Sequence, residues 1–171
     1  MTAGLDIREA RTPEDFDAVR DLCWDYRDFL LELGPKDAAI VRHFYPRDGY
    51  AKVMARLETD HAPPSGSVKL ARLDGAAVGC GMLHRLEPGT AEIKRVYVRD
   101  AARGRGAGRA LMQALIAQCR DMGFRRILMD TGKPLTTATA LYLSMGFRLR
   151  GPYQPVPDLA KDHLIFFQMD L

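Results

Sequence analysis

Apolar residues recur at helical spacing in two stretches of the N-terminal third. Phe16, Val19, Cys23, Tyr26 and Leu30 fall three or four residues apart, and Leu22, Phe29 and Leu33 widen the stripe. Thr12-Pro13-Glu14-Asp15 precedes it, with a capping threonine, a proline at the first helical position and acids in the first turn. This predicts a helix from Pro13 that Gly34-Pro35 stops. A weaker helical pattern runs from about Arg47 to Thr59, with Tyr50, Val53, Met54 and Leu57 on one side. Leu5 to Glu9 reads as a short first strand. His61 to Gly66, with its two prolines, reads as a loop.

The period then shortens. Ser67 to Leu73 and Ala76 to Leu86 are strand-like and joined by Asp74-Gly75, a tight-hairpin signal. Pro88-Gly89 makes the next turn, and Ala91 to Val98 is a third strand of an antiparallel meander. Beyond Val98 the pattern is loop, helix, strand, helix, strand. Leu111, Ala114, Leu115, Cys119 and Met122 keep helical spacing up to Gly123. Arg126 to Asp130 reads as a buried strand, and Pro134 to Met145 as a helix closed by Gly146. Phe147 to Arg150 begins a strand, Gly151 to Asp162 is a proline-containing loop, and His163 to Asp170 is a final strand. The strand–helix–strand unit over residues 91–130 requires parallel pairing. The fold class is α/β (α+β): a mixed sheet of about seven strands with helices on its faces.

Length and composition narrow the function. The 171 residues suit one domain with a sizeable core, and 47% hydrophobic with 27% charged residues is an ordinary globular mix. No apolar run approaches the ~20 residues of a membrane span. Met1 to Phe16 mixes charges early and has no apolar segment, so no secretory leader is expected. Cys23, Cys80 and Cys119 are sparse and form no CxxC, as in a reduced, cytoplasmic protein. His43, His61, His84 and His163 show no ligand spacing, and no metal is expected.

The net charge is only +3, but it is uneven. Residues 94–126 hold nine Lys/Arg against Asp100 and Asp121, a local +7 that leaves −4 for the rest. Its centre is Arg103-Gly104-Arg105-Gly106-Ala107-Gly108, between a strand and a helix. The first amides of a helix have no internal partner and point out of its positive end. Glycines let a phosphate approach them, and Arg103, Arg105 and Arg109 add charge and donors. There is no GxxxxGK[ST] and no GxGxxG with a ribose-binding acid. A basic turn that merely caps a helix is the plain alternative. An RNA-binding role is the third, and it lacks interleaved aromatics.

Taken together these elements resemble the GNAT superfamily of acyl-CoA-dependent N-acyltransferases. Arg103-x-x-Gly106-x-Gly108 is similar to the family signature for the CoA pyrophosphate, and it follows the strand Glu92 to Val98. About thirty residues on, Leu141-Tyr142 and Met145-Gly146-Phe147 resemble the "LY…GF" helix ending. The resemblance covers residues 67–151 strongly. It implies one domain over 1–171, with 10–62 on the acceptor side, 67–151 as acyl-CoA-binding core and 152–171 as loop and terminal strand. It implies a splayed sheet with the donor wedged where two parallel strands part. Backbone groups of Val96, Tyr97 and Val98 would hold the pantetheine arm, and Gly104, Arg105, Gly106, Ala107, Gly108 and Arg109 the pyrophosphate. One departure stands out. Many members carry Asn seven residues before the Tyr, where this chain has Leu135, so Thr137 or Thr139 would have to substitute.

Acyl transfer to an amine requires a neutral amine, a stabilised oxyanion and a protonated leaving thiol. An alkylammonium has a pKa of about 10.4, so a base is needed near neutral pH. Glu92, four residues before Val96, is the base candidate; at period two it would share a face with Lys94, Val96 and Val98. Pairing with Lys94 or an arginine is its structural alternative. Tyr142 is the acid candidate, implied by the family position, with a core tyrosine as the alternative. The oxyanion partner would be the Val96 amide. Lys94 and Arg95, expected on opposite faces, hint at an acceptor that carries a carboxylate, with ordinary salt bridging as the favoured alternative. The resemblance makes Trp24, Tyr26, His43, Phe44, Tyr45 and Tyr153 candidate pocket aromatics, with core or surface packing as the alternative for each, while His84 and His163 read as structural. Cys80 has no paired His and is rejected as a nucleophile. The reading is an N-acetyltransferase that moves acetyl from acetyl-CoA, as co-substrate, directly to a primary amine of a small molecule in a ternary complex. No nucleic-acid or membrane partner is expected, and the chain is a monomer or homodimer. The alternatives are a silent acyl-CoA-binding module and a protein lysine or N-terminal acetyltransferase.

Overall fold

A computed structural model describes residues 4–171; Met1, Thr2 and Ala3, the start of the segment read as lacking a leader, lie outside it. The chain opens with β1 (Leu5–Glu9) and α1 (Pro13–Leu31). The α1 start is a full capping box. Thr12 Oγ1 accepts from the Asp15 amide at 3.1 Å, and Asp15 Oδ2 accepts from the Thr12 amide at 3.3 Å.

Three further helices follow: α2 (Pro35–Phe44), α3 (Arg47–Ala55) and the single turn α4 (Leu57–Asp60). The sequence pattern missed α2. Gly34-Pro35 does end α1, but Pro35 is also the first residue of the next helix, a position where its missing N–H costs nothing. The expected second helix is split between α3 and α4 at Arg56.

The sheet contains β2 (Gly66–Leu73), β3 (Ala76–Glu87), β4 (Thr90–Val98), β5 (Arg126–Gly132), β6 (Arg148–Arg150) and β7 (Leu164–Asp170), with β1 at one edge. Its order is β1-β2-β3-β4-β5-β7-β6, with β4–β5 as the parallel pair. Between those two strands lies α5 (Ala107–Asp121), and between β5 and β6 lies α6 (Thr136–Ser144). Gly123, at φ 82°, ends α5, and the Phe124 amide donates back to the Cys119 carbonyl.

Helices cover both faces. Met112, Leu115, Ile116 and Cys119 of α5 and Tyr142 of α6 pack on Leu83, Ile93, Ile127 and Phe167. Val19, Leu22 and Cys23 of α1, with Tyr50, Met54 and Leu57, pack on Val68, Leu70, Cys80 and Met82. Cys23, Cys80 and Cys119 are buried thiols. No helix among the described residues is long and apolar enough to cross a membrane.

Two irregularities shape the centre of the sheet. Strands β4 and β5 pair only from Thr90–Arg126 to Glu92–Leu128. Beyond Glu92 they part, and the β5-facing edge of β4 has no strand partner. β4 also carries a bulge. Cys80 faces Tyr97 while Met82 faces Lys94, so Gly81 alone opposes Arg95 and Val96. Arg95 takes φ 53° there. Gly81 leaves room for α5 to pack over the bulge, because a Cβ would fall 2.8 Å from Leu115 Cδ1 and 3.3 Å from Val96 Cγ2.

The extra residue inverts the side-chain alternation. Ala91 and Ile93 face α5 before the bulge, and Val96 and Val98 face it afterwards. Tyr97 instead stacks on Tyr26 of α1 at 5.3 Å. The expected shared face of Glu92, Lys94, Val96 and Val98 therefore does not form.

Candidate active site

A cavity of about 170 Å³ lies beside the point where β4 and β5 separate. Its walls come from α1, α2, the middle of β4, the end of β5 and the 151–163 loop. Glu92 of β4 enters it buried, with 4% exposure. Its carboxylate is heavily engaged. His84 Nε2 donates to Oε1 at 2.8 Å, and the Tyr153 hydroxyl donates to Oε2 at 2.6 Å. Lys94 Nζ lies 3.7 Å away. Burial pushes the Glu92 carboxyl up, but the His84 bond, the Lys94 charge and the Tyr153 bond together hold it below the usual carboxylate range.

Asp130 stands beside this cluster, with Tyr153 Oη 3.5 Å from its Oδ2. It is open to the cavity, so solvent reaches it, yet protein surrounds it on most sides. Desolvation and the Glu92 charge raise its carboxyl to about 6, against the opposing pull of Lys94 and Tyr153. Desolvation and the two carboxylates push the Tyr153 phenol far up, so it remains a proton donor.

The pocket aromatics divide. Tyr26, Phe44, Tyr45 and Tyr153 line the cavity. Trp24 stacks on Tyr50 at 5.0 Å, and His43 meets Phe44 edge-on, both behind the wall. Lys94 and Arg95 both line the cavity, contrary to their expected opposite faces; the bulge at Arg95 is the reason. His84 and His163 do more than fill strands. His84 holds Glu92, and His163 Nε2 sits 2.7 Å from Asp37 Oδ1 of α2 at the cavity wall.

Tyr142 does not line the cavity. It is 5% exposed in the opposite core, edge-on to Phe147 and Phe167 at 6.1 and 5.5 Å. Burial raises its phenol to about 12. Tyr26, on the other face, is raised by burial first and next by Tyr142.

The loop before α5 has the expected form. Gly104 and Gly106 take φ 76° and 80°, with open space where a Cβ would stand. Gly106 caps α5 without a side-chain acceptor, so the amides of Ala107, Gly108 and Arg109 are left to a ligand or solvent. The arginines are less uniform than expected. Arg103 pairs with Asp100 at 2.7 Å, donates to the Val98 carbonyl and lies 4.8 Å over Phe29. Arg109 donates to Ser144 Oγ at 2.9 Å and ties α5 to α6. Arg105 is exposed and has no ion-pair partner among the described residues. Arg126 pairs with Asp170 at 3.6 Å, at the far end of α5 from this loop.

The open β4 edge beyond Glu92 leads from this loop toward the cavity, so an extended thiol arm and an anionic head fit the residues present. Leu135 caps α6 with no side-chain bond, and Thr139 Oγ1 is buried without a partner. That orphaned hydroxyl marks a polar group the folded chain does not satisfy. Cys80 is fully buried and its thiol donates to the Arg95 carbonyl at 3.5 Å; the neighbouring Cys23 thiol and burial hold it well above the ordinary value. Among the described residues no cluster of three or more His, Cys, Asp or Glu is placed to hold a metal ion.

Sequence reasoning missed Asp130, Asp37, Arg27 and the tie between Tyr153 and Glu92. Each depends on contacts between residues far apart in the chain, for which a single sequence holds no signal.

Known proteins resemble this chain in sequence and in fold. The Acetyltransferase (GNAT) family pattern matches residues 17–147. An uncharacterized N-acetyltransferase of Schizosaccharomyces pombe is 30% identical over 162 residues, covering 92% of each chain. An IAA acetyltransferase of Azospirillum brasilense is 33% identical over 134 residues, covering 74% of this chain and 88% of its own. An acetyltransferase from Streptococcus agalactiae shares the fold with a TM-score of 0.75 at 18% identity, over 99% of both chains.

Proposed function

The chain belongs to the GNAT acetyltransferase family, and on that premise we propose that it moves an acetyl group from acetyl-CoA directly to the primary amine of a small molecule, with both substrates bound together. The observation that carries this reading is the burial of Glu92 in a cavity at the point where β4 and β5 part. Donor and acceptor can meet there from opposite sides.

The family position of these residues and the geometry together support the following roles. The amides at the start of α5, opened by Gly104 and Gly106, hold the donor's diphosphate, with Arg105 and Arg109 beside it. Main-chain groups of Val96, Tyr97 and Val98, on the strand edge without a partner, hold the pantetheine arm, and the Val96 amide faces the developing oxyanion. Bound acetyl-CoA supplies the activated thioester. Glu92 takes the amine proton, directly or through a water, and Tyr153 ties it to Asp130. Asp130, with the higher affinity for a proton, is placed to hold it next. Tyr142, kept protonated by burial, gives its proton to the leaving thiolate. A small acceptor is favoured because the cavity is walled by α2, Phe44 and Tyr45 rather than open as a groove.

Release of CoA thiol from acetyl-CoA, measured across a panel of small amines and lysine peptides, tests the reading. Turnover with small amines supports it. Turnover with peptides alone would reassign the acceptor, and acetyl-CoA binding with no turnover on any amine would make the chain a silent module.

A further inference from the structure

We infer that the acceptor is an amino-carboxylate whose acidic group is bound by Arg27 and Arg95. The inference rests on the reading of the cavity as the acceptor site. The cavity has two poles. Glu92 and Asp130 gather around Tyr153 at one, where an amine is received. Arg27 and Arg95 gather around Tyr45 at the other. Arg27 Nε donates to the Tyr45 carbonyl at 3.0 Å, and the Arg95 guanidinium lies 5.8 Å from the Tyr45 ring.

The other cations of the lining are answered by carboxylates: Lys94 by Glu92 at 3.7 Å and His163 by Asp37 at 2.7 Å. Among the described residues no carboxylate stands in ion-pair contact with Arg27 or Arg95. Arg27 is only 7% exposed. It uses one N–H on Tyr45 and lies 5.8 Å from the Trp24 ring. Arg95 is half-buried, and its side-chain acceptor is the weak Met82 sulfur at 3.7 Å. Holding one buried and one half-buried guanidinium at a cavity wall without a counter-ion is unfavourable, and each presents a planar fork of donors. A carboxylate matches that fork, and two arginines together supply more than one bidentate contact. The bulge contributes directly, because it turns Arg95 to the Lys94 side of β4 instead of toward α5. The aromatic walls, Tyr26, Phe44 and Tyr45, accommodate an apolar body between the two charged ends.

Matched acceptors test this. L-phenylalanine, its primary amide and phenethylamine are compared by kcat/KM with acetyl-CoA saturating, and 5-aminopentanoate is compared with pentylamine. Each carboxylate is expected to exceed its partners at least tenfold. Arg27→Gln and Arg95→Gln should raise KM for the carboxylates at least tenfold and leave KM for the amide and acetyl-CoA unchanged. Arg27→Lys and Arg95→Lys, which keep the charge, should restore part of the preference. Trp24, the single tryptophan, gives a readout that needs no turnover. With CoA present, 3-phenylpropionate should change its emission at a concentration at least tenfold below that of 3-phenylpropionamide. Equal responses, equal kinetics, or arginine variants that lower both members alike would overturn the inference. Acetylation of amines with and without a carboxylate at equal kcat/KM would leave the acetyltransferase reading intact while removing this one.

Discussion

The Tyr153 hydroxyl donates to Glu92 Oε2 across 2.6 Å, although 61 positions separate the two residues. The bond joins the 151–163 loop to β4 and places a proton between Glu92 and Asp130. Because Tyr153 helps hold Glu92 below the usual carboxylate range, its loss raises the Glu92 pKa. Tyr153→Phe should therefore move the acidic limb of the kcat/KM profile to higher pH. CoA affinity, measured by titration calorimetry, should stay the same.

Asp130 predicts an exchange of stability for activity. Its carboxyl rises from an ordinary 3.8 to about 6, chiefly through desolvation and then through Glu92. The folded state therefore favours the protonated form. The stability this contributes is fully present below the unfolded value and is lost as pH rises through 6. Asp130→Asn should melt at a higher temperature than the parent at pH 8, with the difference shrinking toward pH 4. Its turnover should fall.

Gly106 separates backbone strain from charge. A residue with a Cβ at φ 80° costs about 1–2 kcal/mol, and Asn tolerates the left-handed region best. Gly106→Asn should keep the fold and much of the CoA affinity. Gly106→Glu should abolish CoA binding by placing a carboxylate at the start of α5. Equal binding by both variants would remove the loop from the site.

Tyr142 has aromatic neighbours on its ring and, among the described residues, no protein hydrogen bond to its hydroxyl. Tyr142→Phe should thus fold with little change in melting temperature. Turnover should drop about 10²- to 10⁴-fold, the usual size of a general-acid contribution, with little change in CoA affinity.

Local pattern carried most of the fold. The Thr12 cap, the Asp74-Gly75 hairpin and the Gly123 and Gly146 helix ends are short-range signals, and each stands where the residues imply. The α2 helix was illegible because Pro35 both ends one helix pattern and begins another. The bulge at Arg95 was illegible for a different reason. Period-two reading assumes an unbroken ladder, and the single extra residue reversed every face beyond it. Glu92 and the Arg103–Arg109 loop were readable from type and position. Asp130, Arg27 and the Tyr153 contact arise from three-dimensional pairing, which leaves no periodic trace.

The central claim is direct transfer to an amine under Glu92 catalysis. Initial rates of CoA thiol release, with acetyl-CoA and amine varied together, test it most directly in the parent and Glu92→Gln. Release should depend on the amine, double-reciprocal plots should intersect, and Glu92→Gln should lose kcat/KM by about 10²- to 10⁴-fold with the acetyl-CoA KM unchanged. Thiol release without amine, parallel plots, or an undiminished Glu92→Gln would contradict it.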